Sequence, residues 1–451
     1  MLSRLIWTAG ALVILTQNVY ADTASLEQRL ADLEQQVAIL KRQIELQKED
    51  QKTKSQDAPV VTANAKDGFS IKSSDESFKL RVRGLVQADA RIFTGNSKDL
   101  SGTTDSFLVR RARPIFEGTV GKYFDFYLIP DLANNSSSNS LLVDAYTDFK
   151  INPAFKIRGG KFKAPLGLER LQSDAVANFI EAGLPSNLVP NRDVGFQVFG
   201  ELAGDSVGYA VGIFNGGADL ASVDTADVNN DKDLIGRVFV QPFKNHGPQS
   251  LKGLGVGVGG SYGHKEGGTT PTYRSPGQAS VFSYSATGLV ADGAHTRVSP
   301  QAYFYKGSLG ILGEYVSSTQ ELSRGAGIHD DFTNQSWQIS GNYVLTGELA
   351  SYKGVVPRNN FDLEKGTWGA FEVVGRYGQL KLDDKIFDEG FASLNSSISE
   401  EEAWGLGLNW YPNRNLRLSL DYEQTHFTRG AGAGEDRPTE NIIFTRLQLA
   451  Y

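Results

Sequence analysis

The chain lacks cysteine and is poor in other residues that carry chemistry. Its 451 residues include no Cys and only 1 Met, which excludes disulfides, thiolate nucleophiles and Cys-ligated metal clusters. The 5 His are scattered, and none stands at metal-ligand spacing from another. The net charge of −7 argues against nucleic acid as a partner. No nucleophile elbow, phosphate-binding loop or dinucleotide fingerprint is present. We therefore expect neither an enzyme nor a bound metal or cofactor.

Long apolar runs are also missing, except for one near the start. Residues 5–16 are almost all apolar, follow Arg4, and precede small-residue spacing at Val19 and Ala21. This arrangement is typical of a secretory signal peptide, which is predicted over residues 1–21. The alternative is a membrane anchor, but a span needs about 18 apolar residues. The mature chain is therefore expected to be exported.

Residues 22–53 contain a heptad repeat. Apolar residues recur at alternating steps of four and three, at Leu26, Leu30, Leu33, Val37, Leu40 and Ile44. This pattern predicts a coiled coil, and its shortness favours an oligomer held together elsewhere. The alternative is a single amphipathic helix packed on its own domain. Residues 54–76 are polar and have no sustained period, which predicts a flexible spacer.

From residue 77 onward the hydrophobic period is two. In FKLRVRGLVQADARIF (78–93), alternate residues are apolar, and the other set is mostly cationic. Together with this stretch, the chain contains about 16 such segments of about 10 residues. Short turns such as 152–154 alternate with long loops such as 164–192 and 319–335. This rhythm predicts an all-β fold over residues 77–451, a transmembrane antiparallel β-barrel in a bacterial outer membrane, because a sheet in lipid must close. The alternative is a secreted sandwich, which also alternates.

Cations are concentrated early in this region. Residues 78–170 contain 15 Lys and Arg against 9 Asp and Glu, an excess of +6. Such cations in a pore attract anions, and guanidinium groups fit phosphate oxygens. The predicted solute-binding residues are Arg81, Arg83, Arg91, Arg110, Arg111, Arg113, Lys161, Lys163 and Arg170. Alternatively, the cations pair with lumen acids such as Asp89 and Glu117. A bulge predicted at Gly159-Gly160 leaves the facing of Lys161 and Lys163 open.

The loop at residues 164–192 is unusually apolar. Phe179, Ile180, Leu184 and Leu188 are more than an exposed loop needs. Burial inside the pore or in a subunit interface would explain them. The loop also has the length to fold into the barrel and narrow it.

Several stretches carry a resemblance to a known family: FKLRVRGLVQADAR (78–91), FLVRRARPIFEG (107–118), GGKFKAPLGLERLQS (159–173), NYVLTGE (342–348) with GTWGAFEVVGRYGQL (366–380), and GLNWYPNRNLRLSLDYE (407–423). Over about residues 70–451 the chain resembles the phosphate-selective porin O/P family of Gram-negative outer membranes. The resemblance implies a homotrimer of 16-stranded barrels, an inward-folded third loop and a row of lumen arginines. It places Arg110 and Arg111 on the family's Arg pair and Arg170 on a central lysine position. A second family lysine would fall near Ala175.

These observations predict an outer-membrane porin for passive diffusion of small anions, with phosphate or polyphosphate as leading candidates. The expected partners are anionic solutes, outer-membrane lipid and further copies of the chain. One alternative is a general porin for small hydrophilic solutes. Another is a structural barrel that tethers a periplasmic coiled coil to the cell wall.

Overall fold

A computed structural model describes residues 26–49, 59–64, 68–100, 102–133, 141–223, 230–325 and 328–451. The predicted signal peptide lies outside these ranges, as do parts of the predicted spacer. The chain divides into two compact units, residues 1–60 with 72–76, and residues 61–71 with 77–451. None of the described helices is long and apolar enough to cross a membrane.

The described part of the first unit is mainly one helix, α1 (residues 26–49). All six heptad positions are between 48% and 59% exposed, so the apolar stripe faces solvent along the whole helix. The exposed face also carries an i,i+3 ion pair between Arg42 and Glu45 at 3.2 Å. The helical part of the prediction is confirmed, and assembly into a coiled coil stays a prediction.

The second unit is built from strands. Two short strands, β1 (Val60–Asn64) and β2 (Gly68–Lys72), come before the barrel. The barrel strands are β3 (Phe78–Phe93), β4 (Ser106–Val120), β5 (Phe124–Pro130), β6 (Leu142–Asn152), β7 (Phe155–Phe162), β8 (Asp193–Leu202), β9 (Val207–Phe214), β10 (Asp233–Val240), β11 (Leu254–Gly268), β14 (Leu289–Lys306), β15 (Leu309–Arg324), β16 (Ile328–Val344), β17 (Ala370–Lys381), β18 (Ile398–Tyr411), β19 (Leu416–Arg429) and β20 (Glu440–Ala450). A small hairpin, β12 (Thr272–Arg274) with β13 (Ser280–Ser283), lies in one loop.

Every barrel strand pairs antiparallel with its neighbours, and the sheet closes. The last strand, β20, pairs with β3 from Ile442↔Phe93 to Ala450↔Leu85. Side chains alternate between the two faces, as the period of two predicts. On β3, for example, Val86 and Ile92 are exposed to the outside, whereas Gln87 and Asp89 are buried inside. The predicted barrel of about 16 strands is confirmed.

The connections depart from the predicted short–long rhythm at both ends of the barrel. The long loop predicted at 319–335 is wrong, because β15 and β16 continue through it and pair up to Arg324↔Ile328. Strands that extend beyond the bilayer are polar on both faces, so the period of two disappears there. Conversely, residues 345–369 form a long connection between β16 and β17. At that end of the barrel the other described connections, such as 412–415, are mostly short turns. We call that end the turn end and the opposite one the loop end; short turns of such barrels face the periplasm.

The barrel wall is uneven in height. Strands β14, β15 and β16 contain 18, 16 and 17 residues, whereas β5, β7, β9 and β10 contain 7 or 8. We call the stretch from β5 to β10 the low wall. At a tilt of about 40°, a strand of 8 residues rises only about 20 Å along the membrane normal. The apolar band of such barrels is about 25 Å tall, so these four strands are shorter than the band, whereas β6 and β8 between them contain 11 and 10 residues.

The interior of the barrel is partly filled by folded loops. The β12–β13 hairpin and the short helix α3 (Lys385–Asp388) contribute to a buried cluster that includes Phe162, Phe214, Phe282, Ile386 and Phe391. These residues are at most 1% exposed. The loop-end half of the barrel therefore contains a packed hydrophobic core, and polar lumen remains beside it.

Candidate lumen site

The loop at residues 164–192, which we call the inward loop, folds into the barrel. It contains two short helical turns, α2 (Leu168–Leu171) and a 3-10 turn at Leu184–Leu188. Phe179, Ile180, Leu184 and Leu188 are at most 3% exposed. The sequence left two locations open for these residues, inside the pore or in a subunit interface. In the structure they lie inside the barrel.

The inward loop crosses the lumen and is hydrogen-bonded to side chains of the opposite wall. The Ile180 amide donates to Asp421 at 2.7 Å, and the Ile180 carbonyl accepts from Arg446 at 2.9 Å. Arg417 donates to the Ala177 carbonyl at 2.8 Å. Nearer its start, Glu314 accepts from the backbone of Leu168 at 2.6 Å. Buried backbone groups need such partners, so these side chains fix the path of the loop.

The first group of lumen cations is a pair of arginines on β3. The register sets Arg81 opposite Glu117 on β4, and Arg83 is two residues along on the same inner face. Glu117 accepts from Arg81 at 2.8 Å and from Arg83 at 2.7 Å. One carboxylate thus serves two guanidinium groups, and the trio keeps a net positive charge.

A β-bulge turns two consecutive arginines inward. Gln87 pairs with Arg111 and the next residue, Ala88, pairs with Val109, so Arg110 is the extra residue of the bulge. Without the bulge, Arg110 and Arg111 would point to opposite faces of the sheet. With it, Arg110 reaches Glu181 at 2.7 Å, and Arg111 donates to Gln87 at 2.8 Å.

Two acids on the inward loop form ion pairs with these cations. The first is Glu181. It accepts from Arg91 at 3.0 Å and from Arg110 at 2.7 Å, and Arg446 lies at 3.9 Å. Burial alone would raise the pKa of Glu181, but the charges of Arg110 and Arg91 outweigh it and lower that pKa below its usual range. Glu181 is therefore ionised and shared among arginines.

Asp174 is the second acid, and four cations surround it. Arg113 donates to it directly, and Arg111, Lys163 and Arg192 lie at 3.2, 3.7 and 3.8 Å. Burial would raise the pKa of Asp174, but these cations hold it well below its usual range. Burial also lowers the pKa of Lys163 to about 8. The neighbourhood is therefore dominated by positive charge.

The remaining predicted site residues lie elsewhere. Lys161 pairs with Ala145 and Val194 on the outward set, although its side chain is buried. Arg170 donates to the Ser186 carbonyl at 2.8 Å, within the inward loop itself. The predicted bulge at Gly159-Gly160 is wrong, because the register runs through both residues without a shift.

Sequence reasoning missed several residues of this site. Asp174, Glu181 and Arg192 belong to the inward loop, where no period assigns a facing. Arg446 on β20 alternates with apolar Leu447, so its facing could have been inferred from the pattern. What no pattern could show is that Arg446 forms a two-fold ion pair with Asp89, at 2.7 and 2.6 Å, across a separation of 357 residues.

The cations line a cavity of about 600 Å³ on the turn-end side of the inward loop. Its lining includes seven cations and two acids: Arg81, Arg83, Arg113, Arg158, Lys163, Arg192 and Arg414, with Asp144 and Asp174. A second cavity of about 280 Å³ shares Arg81, Tyr127 and Tyr146 with the first. The two form a charged compartment along the wall from β3 to β7. The first cavity is cation-rich, whereas the second is lined by two cations and three acids, Lys79 and Arg81 with Glu117, Asp125 and Asp148.

A closed 16-stranded barrel with a charged lumen and an inward loop defines a porin. The family model for phosphate-selective porin O and P matches residues 78–451, and the chain belongs to this family of outer-membrane channels, which are not enzymes. Porin O of Pseudomonas aeruginosa is 24% identical over 429 residues, covering 88% of this chain and 94% of the relative.

Solved porin structures share the fold. The outer-membrane channel DcaP of Acinetobacter baumannii aligns with a TM-score of 0.55 at 11% identity, over 84% of this chain and 99% of that one. The anion-selective porin from Comamonas acidovorans aligns with a TM-score of 0.50 at 12% identity, over 83% and 100%.

Proposed function

We propose that this porin passes small anions by passive diffusion, with phosphate or polyphosphate as the leading solutes. The observation that carries the proposal is the set of four cations around the single carboxylate of Asp174. The name of the family and the selectivity of the Comamonas acidovorans porin agree with it. Arginine offers forked donors that suit phosphate oxygens.

The shared carboxylates explain how such a site could release its solute. A passing anion competes with Asp174 and Glu117 for donors that are already partly satisfied, so each contact is weak. Conduction needs binding that is strong enough for entry and weak enough for exit. The same pairing supports the second candidate, a general porin with a transverse field and little selectivity.

Single-channel recording of the purified mature protein separates the two candidates. In a KCl gradient, an anion channel reverses near the chloride potential, and added phosphate reduces the chloride current. The Arg113→Gln variant should lower the anion preference. Lys365→Gln, at an exposed position of the turn-end connection at residues 345–369, should not. A reversal potential near zero for the unaltered protein would support the general porin instead.

We also propose that the barrel assembles as a homotrimer through its low wall. Four of its six strands are shorter than the apolar band. The wall also carries outward apolar side chains, with Phe196, Ile213 and Leu234 between 54% and 72% exposed. Neighbouring copies would shield it from the headgroups. Cross-linking in mild detergent should capture trimers. The yield of trimer should fall after Ile213→Ser and stay unchanged after Leu406→Ser, on the opposite wall. Monomers alone would contradict this.

The exposed stripe of α1 supports a further role in the periplasm, where a coiled coil could join the copies or touch the cell wall. Deleting residues 26–49 should then lower trimer stability or cell-wall co-sedimentation without altering conductance. If purified protein conducted no current over a range of voltages, the structural role would be the better account.

A further inference from the structure

The cation-rich cavity has an aromatic side. Tyr127 on β5 and Tyr146 on β6 are register partners on the inner face, and their rings stack with centroids 5.1 Å apart and planes 26° from parallel. The guanidinium of Arg158 lies over the Tyr146 ring at 3.7 Å. Arg158, Tyr146 and Tyr127 therefore form one stack, and Tyr127 is its end. Both tyrosines line both cavities, so the stack borders the open lumen.

Apolar side chains lie beside the stack, at positions where a water-filled pore does not need them. Leu85 on β3, Ile115 on β4 and Ile129 on β5 take inward positions and form a small buried cluster with Tyr127 packed against it. All three contribute to the lining of the larger cavity. A hydrated inorganic anion gains nothing from apolar walls. Sites for organic molecules, in contrast, combine apolar and aromatic walls with a few placed charges.

We propose that this cavity binds a planar organic anion of the aromatic carboxylate class. The carboxylate would lie on Arg81 and Arg83, and the ring would extend the stack at Tyr127. Arg81, Arg83 and Tyr127 line the same cavity, so one ligand can reach the guanidinium groups and the tyrosine ring together. Glu117 accepts from Nε and Nη2 of Arg83 at 3.1 and 2.7 Å, so the carboxylate of the ligand would compete with Glu117 for this guanidinium. This inference rests on the proposed anion conductance and narrows its solute class.

The test is block of chloride current through single channels, with benzoate as the probe. Acetate supplies the charge without a ring, and benzyl alcohol supplies the ring without a charge. Ring stacking lowers the half-blocking concentration of benzoate about tenfold below that of acetate, and benzyl alcohol should not block. Equal block by benzoate and acetate would overturn the inference.

Variants of Tyr127 test the stack itself. Tyr127→Leu keeps an apolar side chain but removes the aromatic face, so benzoate block should fall to the level of acetate block while acetate block stays unchanged. Tyr127→Phe keeps the ring and should keep benzoate block. Tyr123→Leu removes an exposed aromatic beside Phe149 and serves as the matched control. Benzoate block that survives Tyr127→Leu would also overturn the inference.

The two proposals fail in different ways. If the unaltered channel shows no anion preference in a salt gradient, the proposed function fails. If it prefers anions but does not distinguish benzoate from acetate, only the aromatic site fails. Heat-modifiable mobility of the variants on a gel, typical of intact barrels, separates a lost site from a lost fold.

Discussion

Removing the charge of Glu181 should make the channel more anion-selective. Glu181 is 5% exposed and neutralises part of the charge of Arg91 and Arg110 at 3.0 and 2.7 Å. Glu181→Gln keeps the shape of the side chain and leaves the lumen one positive charge richer. The inward loop should stay in place, because Arg376 and Arg446 donate to the backbone carbonyls of Glu181 and Ile180 at 3.0 and 2.9 Å, and the substitution leaves both carbonyls intact.

The size of the effect follows from Coulomb's law. A unit charge about 6 Å from a passing anion contributes about 0.7 kcal/mol at the dielectric constant of water, and several times more at the lower effective values near protein. Since about 1.4 kcal/mol is a factor of ten, the chloride-to-potassium permeability ratio should rise about threefold or more. Salt screens the effect, with a Debye length of about 10 Å at 0.1 M.

The assay is the reversal potential across a planar bilayer, measured in a gradient of dilute KCl and repeated in concentrated KCl. Glu364→Gln makes the same charge change at an exposed position of residues 345–369 and should leave the ratio unaltered. An unchanged or lower ratio in Glu181→Gln, or an equal rise in the control, would refute the assignment of Glu181 to the conducting lumen.

Three further predictions concern the wall and the inward loop. Gly160 has a φ of +134°, and a Cβ there would lie 2.2 Å from the Ala145 carbonyl oxygen; Gly160→Ala should therefore sharply lower the yield of heat-modifiable barrel, and normal yield would contradict the strain. Because the pKa of Lys163 is about 8, its positive charge is lost as pH rises through that value. Anion preference should fall between pH 7 and 9, and Lys163→Arg should abolish the change. Tyr352 donates to the backbone of the inward loop at 2.6 Å, so Tyr352→Phe should increase open-channel current noise, and unaltered noise would argue against that anchor.

The wall of the barrel could be predicted from the sequence because each lipid-facing strand carries its own signal. One residue in two must be apolar where lipid is outside and water inside, as in Phe78–Ile92. The signal is lost where strands leave the bilayer, which is why the strands around residues 319–335 were predicted as a loop. The long turn-end connection at 345–369 breaks the predicted rhythm, because the alternation of short and long connections is a tendency and has no local cause.

The lumen site was predictable only in part. The cations of β3 and β4 alternate with apolar residues, so their facing follows from the pattern, except at Arg110, where the bulge changes it. The partners of those cations could not be predicted. Asp174 and Glu181 come from a loop without periodicity, and their positions depend on tertiary hydrogen bonds to strands more than 200 residues away, such as that between Ile180 and Asp421.

The pairing of β20 with β3 has a consequence for biogenesis. The two strands are the first and last strands of the barrel in sequence, so the barrel cannot close during synthesis, however early the intermediate hairpins form. Until the carboxyl-terminal segment arrives, the nascent sheet has two open edges that can pair with other chains. Export and insertion must therefore protect a whole unclosed polypeptide, and loss of the final strand would be expected to cause aggregation rather than a smaller pore.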